Sequence, residues 1–185
     1  MFRSSDGQND PKTAAGQKAC GDIRAQFDFN RQLSPNLGKS VGCSKVLDFD
    51  KPLDFALLEL ESVPPISDGK IRQILELADR DINEKSEPAF VVHHPVGLSK
   101  KVSQDCTAYY LDATNAEHNC GTLGGSSGSP VFANDGKVIA LHSYGAYPLE
   151  LTIREIEERI SKGEVFRNKA RPIKVIRDRI ISNAL

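Results

Sequence analysis

The sequence predicts a mostly β protein, a β-barrel or sandwich that ends in a C-terminal α-helix. Three observations carry this. Ile23, Ala25, Phe27 and Phe29 alternate with polar neighbours, the two-residue period of a half-buried strand. Two apolar runs flank Asn134-Asp135-Gly136 in PVFANDGKVIALHSYG, a strong short-range signal for a β-hairpin. The final segment then changes character. LTIREIEERISK is charged with a helical period, and PIKVIRDRII sets Ile173, Ile176 and Ile180 at helical spacing behind Pro172, a residue that suits a helix start.

Taken in order, residues 1–20 read as a polar lead-in loop, followed by the strand at 22–29. A loop containing SPNLG leads to KVLDFD and FALLEL, two short apolar runs separated by a proline turn. The stretch SDGKIRQILELADRD is ambiguous. Ser67 or Asp68 could cap a helix carrying Ile71, Ile74, Leu75 and Ala78, yet the surrounding strands favour loop and strand. AFVVHHP and VSQDCTAYYLD are strand-like, rich in Val and Tyr.

Bulk composition excludes several classes. The 185 residues fit one domain or two small ones, and no segment approaches the ~20 apolar residues of a membrane helix. Net charge is -1 with both signs interspersed, which gives no electrostatic footprint for nucleic acid or an anionic membrane. Cys20, Cys43, Cys106 and Cys120 contain no CxxC pair, so a zinc site is a poor reading. Of the three possible disulfide pairings, Cys20–Cys43 with Cys106–Cys120 is favoured because each closes a short loop. That reading implies an oxidising compartment, extracellular or periplasmic. Four buried free thiols in a cytosolic protein are the alternative.

The stretch GGSSGSPVF, residues 124–132, is the strongest chemical signal. A nucleophilic serine needs a base, a group that orients the base, and donors for the oxyanion. Ser127 has Gly125 two positions before it and Gly128 directly after, followed by Ser129 and Pro130. Glycine there permits the backbone angles that turn amide N–H groups inward and leaves space for substrate. A plain glycine–serine turn is the competing interpretation.

GSSGSPVF followed by VIALHSYG resembles the nucleophile region of chymotrypsin-like (trypsin-like) serine peptidases, above all their bacterial trypsin-like and glutamyl-endopeptidase branches. The resemblance implies a double β-barrel, with Ser127 as nucleophile and the N–H groups of Gly125 and Ser127 as oxyanion hole. It also implies that His142, Ser143, Tyr144 and Gly145 form the strand that binds the substrate backbone. DFALLEL, residues 54–60, resembles the family segment that bears the triad aspartate, which carries Asp54 over as the acid. An acid at the mouth of an apolar run is expected to be held in place and partly desolvated, fit to set the tautomer of a histidine. AQFDF, FVVHHPVG, KVS and PIKVIRDRI extend the similarity over most of residues 22–180.

One part is absent. In this family the base precedes the aspartate by about 45 residues, yet His93, His94, His118 and His142 all follow Asp54. His93 and His94, before Pro95, read as structural, and His118 as a loop residue near the nucleophile. A complete double barrel needs about 200 residues or more, so the sequence reads as a peptidase truncated before its catalytic histidine, with a pseudoenzyme as the rival. Either way the chain alone is expected to fall thousands of times below a full triad.

For specificity, Gly121 falls where trypsin-like enzymes hold an aspartate, and Thr122 and His142 where glutamyl endopeptidases place a threonine and a histidine. A hydroxyl and an imidazole can hydrogen-bond a carboxylate, which implies preference for Glu. The organisation expected is a remnant N-terminal barrel with the acid at 1–80, a C-terminal barrel with the nucleophile loop at 81–150, and a helical segment at 151–185. The partner is a peptide or protein substrate, taken up by a monomer. The chemistry runs on side chains and amides, so neither metal nor organic cofactor is expected. A binding module of the same fold is the alternative to an enzyme. An α/β-hydrolase is disfavoured because the loop is not GxSxG and the acid precedes the serine.

Overall fold

A computed structural model describes residues 20–30, 39–66, 72–147 and 151–184. The lead-in up to residue 19, the SPNLG loop and the Ser67 or Asp68 cap lie outside the described residues. The chain divides into two compact units, Met1–Ile74 and Leu75–Leu185.

The first unit holds an antiparallel sheet of order β1-β2-β3: β1 (Arg24–Phe27), β2 (Lys39–Asp50) and β3 (Phe55–Leu60). The central strand is long enough to pair with both neighbours, and its register to β3 shifts twice, between Cys43 and Lys45 and between Val46 and Asp48. Three strands bury little apolar surface. Here the deficit is met covalently. The Cys20–Cys43 disulfide joins the segment before β1 to β2, and Val46, Ile23, Phe49 and Leu58 pack around it.

The second unit is a closed antiparallel barrel. Its strands are β4 (Ser86–His93), β5 (Lys101–Tyr110), β6 (Ala116–His118), β7 (Pro130–Ala133), β8 (Val138–Tyr144) and β9 (Asn168–Pro172), in the order β4-β5-β6-β9-β8-β7. Strand β4 shows why these residues form such a wall: Glu87, Ala89, Val91 and His93 are buried while the residues between them are not. Val91, Val131, Val138 and Ile139 are among its most completely buried side chains. The buried Glu87 carboxylate is satisfied by Arg80 at 2.7 and 2.9 Å and by the Asn83 N–H at 3.0 Å. Cys106 on β5 is bonded to Cys120 just past β6.

The β7–β8 connection is the hairpin expected at Asn134-Asp135-Gly136. Gly136 takes φ +82°, and its N–H donates to the Ala133 carbonyl at 3.0 Å, while Asp135 Oδ1 accepts from the Lys137 N–H at 3.0 Å. Residues 72–80 are irregular except for a parallel bridge from Leu77 to Val138, in keeping with the loop-and-strand interpretation.

Two helices complete the unit. Helix α1 (Ile153–Ser161) starts with a capping box between Thr152 and Glu155 and buries none of its residues. Helix α2 (Ile173–Ala184) begins directly after Pro172 and buries Ile173 and Ile176. The segment 151–185, expected to be helical throughout, thus also supplies β9, the strand that closes the barrel between β6 and β8. Asn168, Ala170 and Pro172 face inward and Lys169 outward, an alternation made of small and charged residues that carries little hydrophobic signal.

These burial differences set expectations for stability. Ile139→Ala is expected to lower unfolding free energy by about 2–5 kcal/mol, seen as a reduced urea midpoint at unchanged m-value. Ile153→Ala on α1, at a residue 78% exposed, should stay within about 0.5 kcal/mol of the parent.

Candidate active site

Residues 123–129 form a tight loop between β6 and β7. Gly125 and Gly128 adopt φ +87° and +85°, angles that residues with a side chain rarely take. At Gly125 it is the angle rather than space that calls for glycine, since a Cβ there would meet the Val96 nitrogen at 3.4 Å and the His94 carbonyl oxygen at 3.6 Å, ordinary contact distances. The loop is tied on two sides. The Gly128 N–H donates to the His142 carbonyl at 2.8 Å and the His142 N–H to the Ser129 carbonyl at 2.9 Å, lashing it to β8. The Val96 N–H donates to the Gly124 carbonyl at 2.7 Å, fixing it to the turn after β4. Among the described residues, no acceptor engages the N–H of Gly125 or of Ser127.

Two adjacent serines have opposite environments. Ser127 is exposed, and its hydroxyl donates to the Ser143 carbonyl at 2.9 Å. Ser126 is fully buried, its Oγ 2.8 Å from Nδ1 of buried His93. A serine at that distance from an imidazole has the geometry of an activated nucleophile, but no substrate can reach a hydroxyl with no exposed surface. The His93–Ser126 bond instead pins the loop to the end of β4.

Asp54 belongs to the first unit. It ends the turn after β2, with φ +52° and its N–H donating to the Lys51 carbonyl at 3.2 Å, and it directly precedes buried Phe55 on β3. It stands at the mouth of the apolar run as expected. Its surroundings differ from the expectation, because the side chain is exposed rather than partly desolvated. The turn lifts it off the strand, so the shielding begins one residue later.

The residues expected to contact substrate gather on β8 and on the segment before the loop. Ser143 donates its hydroxyl to the Lys169 carbonyl at 3.1 Å, and Tyr144 and Gly145 are exposed beyond it. The Gly121 carbonyl accepts from Ser103 Oγ at 2.5 Å. Thr122 Oγ1 donates to Asn168 Oδ1 at 3.0 Å, and Asn168 Nδ2 donates to the Cys120 carbonyl at 2.6 Å. His142 is buried, with Nδ1 2.9 Å from Nε2 of His118. His118 therefore lies on β6 inside the barrel, not in a loop. Burial, with smaller effects from neighbouring histidines, holds His118 and His142 down at about 4, so both rings are neutral at pH 7. Burial, then His94, also lowers His93.

Sequence reasoning did not single out Asn168, Ser126 or the partner role of His118. Asn168 opens a strand without a readable pattern, and the two histidine contacts join positions 33 and 24 residues apart.

Comparison with known proteins agrees with the fold. The family model for the trypsin-like peptidase domain matches residues 15–141. The match takes in Asp54 and Ser127 and stops one residue short of His142. No curated protein is similar enough to the chain to be matched to it.

Two measurements follow from this geometry. His93→Leu strands the buried Ser126 hydroxyl and should cost about 1–3 kcal/mol in urea unfolding, whereas His94→Leu, at a less buried ring, should cost less. The buried histidines also make stability pH-dependent. Their folded pKa values lie below the unfolded value of about 6.5, so the unfolded chain binds more protons on acidification. Stability is complete above pH ~6.5 and falls toward pH ~4, at up to about 1.4 kcal/mol per pH unit for each ring. Urea midpoints measured from pH 7 to 4.5 check this, and His118→Gln should flatten the slope.

Proposed function

Because the chain belongs to the trypsin-like peptidase domain family, we propose that it is a serine endopeptidase that hydrolyses peptide bonds through an acyl-enzyme on Ser127. The observation that carries this is the exposed Ser127 hydroxyl on a glycine-turned loop, with the N–H groups of Gly125 and Ser127 uncommitted beside it. Attack by Ser127 Oγ on a scissile carbonyl creates an oxyanion, and those two amides are the groups to receive it. Asp54 is the acid that orients the base. Ser127 Oγ, which donates to the Ser143 carbonyl in the resting arrangement, turns its hydrogen to the base and gives up that proton as it attacks.

No histidine precedes Asp54 in these 185 residues, so the polypeptide as given is a poor catalyst by itself. The same fact favours a second reading, a pseudoenzyme or protein-binding module of the same fold. Substrate preference is for Glu: Thr122 brings a hydroxyl, which donates to Asn168 Oδ1 in the resting arrangement, His142 brings an imidazole, and Gly121 offers no charge that would hold Lys or Arg. The two disulfides suit an extracellular or periplasmic setting, where a peptide or protein is the substrate and the enzyme acts as a monomer.

The test is labelling with a fluorophosphonate, followed by peptide mapping. Modification is expected at Ser127 and not at Ser126, slowly in the chain alone, at least about 10³-fold below a complete triad, and faster when imidazole is added to stand in for the base. Ser127→Ala should abolish it and Asp54→Asn should weaken the imidazole effect. If Ser127 stays unmodified at every imidazole concentration, the enzyme reading fails and the binding module takes its place.

A further inference from the structure

The nucleophile loop is built from two turns that share one residue. The Ser126 N–H donates to the Leu123 carbonyl at 3.1 Å, and the Ser129 N–H donates to the Ser126 carbonyl at 3.0 Å. Ser126 is the common corner, its side chain buried between exposed Gly125 and exposed Ser127. In each turn the third residue is a glycine in the left-handed region, Gly125 and Gly128, which marks both turns as type II.

A type II turn becomes type I when its central peptide rolls over while the ends stay in place, and glycine at the third position accepts both forms. The central peptide of the first turn joins Gly124 to Gly125. In a trans peptide the C=O and N–H point opposite ways, so the direction of the Gly124 carbonyl sets that of the Gly125 N–H. The Ser127 N–H is held from within the loop, because the carbonyl of its own peptide accepts from Ser129. The Gly125 N–H depends on a contact from outside, the Val96 N–H at 2.7 Å from the Gly124 carbonyl.

That contact is kept at a cost. Val96 and Gly97 take φ 47° and 73°, and the Leu98 N–H donates to the Pro95 carbonyl at 2.9 Å, a type I′ turn. A β-branched residue is a poor occupant of its first central position. Relaxation of Val96 to an ordinary angle would swing its N–H away from Gly124. The two segments are held side by side at their other ends, where His93 Nδ1 meets Ser126 Oγ at 2.8 Å and both residues are buried. A buried hydrogen bond of this kind is expensive to leave unmade.

We propose that His93 is a positioning residue that, through the Ser126 hydroxyl, latches the 123–126 turn in its type II form and so keeps the Gly125 N–H presented to the developing oxyanion. The consequence for catalysis rests on Ser127 being the nucleophile; the latch itself does not. With the latch gone the central peptide rolls over, and the Gly124 carbonyl replaces the Gly125 N–H as the group facing the negative charge.

Two readouts test this on the full chain. In the ¹⁵N-labelled protein at pH 7, nuclear Overhauser effects report the turn. Type II brings the Gly124 α-protons against the Gly125 amide proton, whereas type I brings the two amide protons together. The parent should show the first contact alone. His93→Leu and Ser126→Ala should each add the amide–amide contact, and His93→Asn, whose side-chain amide can reach the Ser126 hydroxyl, should return the parent pattern. An amide–amide contact in the parent, or the parent pattern kept in both His93→Leu and Ser126→Ala, overturns the proposal. The second readout is fluorophosphonate labelling of Ser127 in imidazole, resolved into reagent affinity and maximal rate. The rate should fall roughly tenfold in His93→Leu and Ser126→Ala at unchanged affinity, because it scales with the fraction of chains whose oxyanion donors are in place, and should recover in His93→Asn. Loosened packing alone would not separate rate from affinity in this way. A turn that switches in the variants while the rate holds also overturns the proposal. A parent that is never labelled defeats the peptidase reading instead, and the Overhauser pattern still decides the latch.

Discussion

The arrangement depends on a pair of reciprocal backbone hydrogen bonds, Gly128 N–H to His142 O and His142 N–H to Ser129 O. They splice the loop after β6 onto β8, so that a segment with glycine's freedom becomes a continuation of the barrel wall. The left-handed angles at Gly125 and Gly128 follow from that attachment. The contrast between the two serines follows too, since a chain fixed at Gly124 and Gly128 has room to bury one hydroxyl and present the next. A loop that is glycine-rich in sequence is therefore stiff in structure, and stiffness is what preorganised amide donors require.

The division of labour between polar groups inside the barrel rests on the same frame. His93 and Ser126 satisfy each other and hold the loop from below. Thr122, Asn168 and the Cys120 carbonyl form a second chain of hydrogen bonds, reaching from the start of the nucleophile segment to β9. His118 and His142 form a third. Buried polar groups cost least when each has a partner, and these three sets account for most of the polar groups in the interior. His118 Nδ1, which has no partner among the described residues, is an exception.

What the amino-acid sequence reveals of this protein, and what it hides, divides along physical lines. The hairpin at 134–136, the alternation in β4 and the start of α2 behind Pro172 all rest on signals within a few residues, and each could be read. The motif around Ser127 carried the family, because Gly125 and Gly128 take left-handed angles that residues with a side chain rarely adopt. Strand β9 was not legible: its five residues hold one alanine and one proline as their inward apolar positions, and only pairing with β6 and β8 makes them a strand. The histidine contacts were hidden for a related reason, since imidazole reads alike whether it serves solvent, substrate or another imidazole. Asp54 shows the converse, where the position was readable and the exposure was not, because a single left-handed residue decides it.

The placement of β9 has a consequence for biosynthesis. It emerges from the ribosome after every other strand of the barrel, yet it lies between β6 and β8. Until it arrives, the nascent polypeptide carries two unzipped sheet margins whose amides and carbonyls are open to any neighbouring chain. Closure also joins positions far apart in sequence, the kind of step that makes β-rich proteins slow folders. The order of the strands thus makes closure of the barrel a late and non-local event in folding.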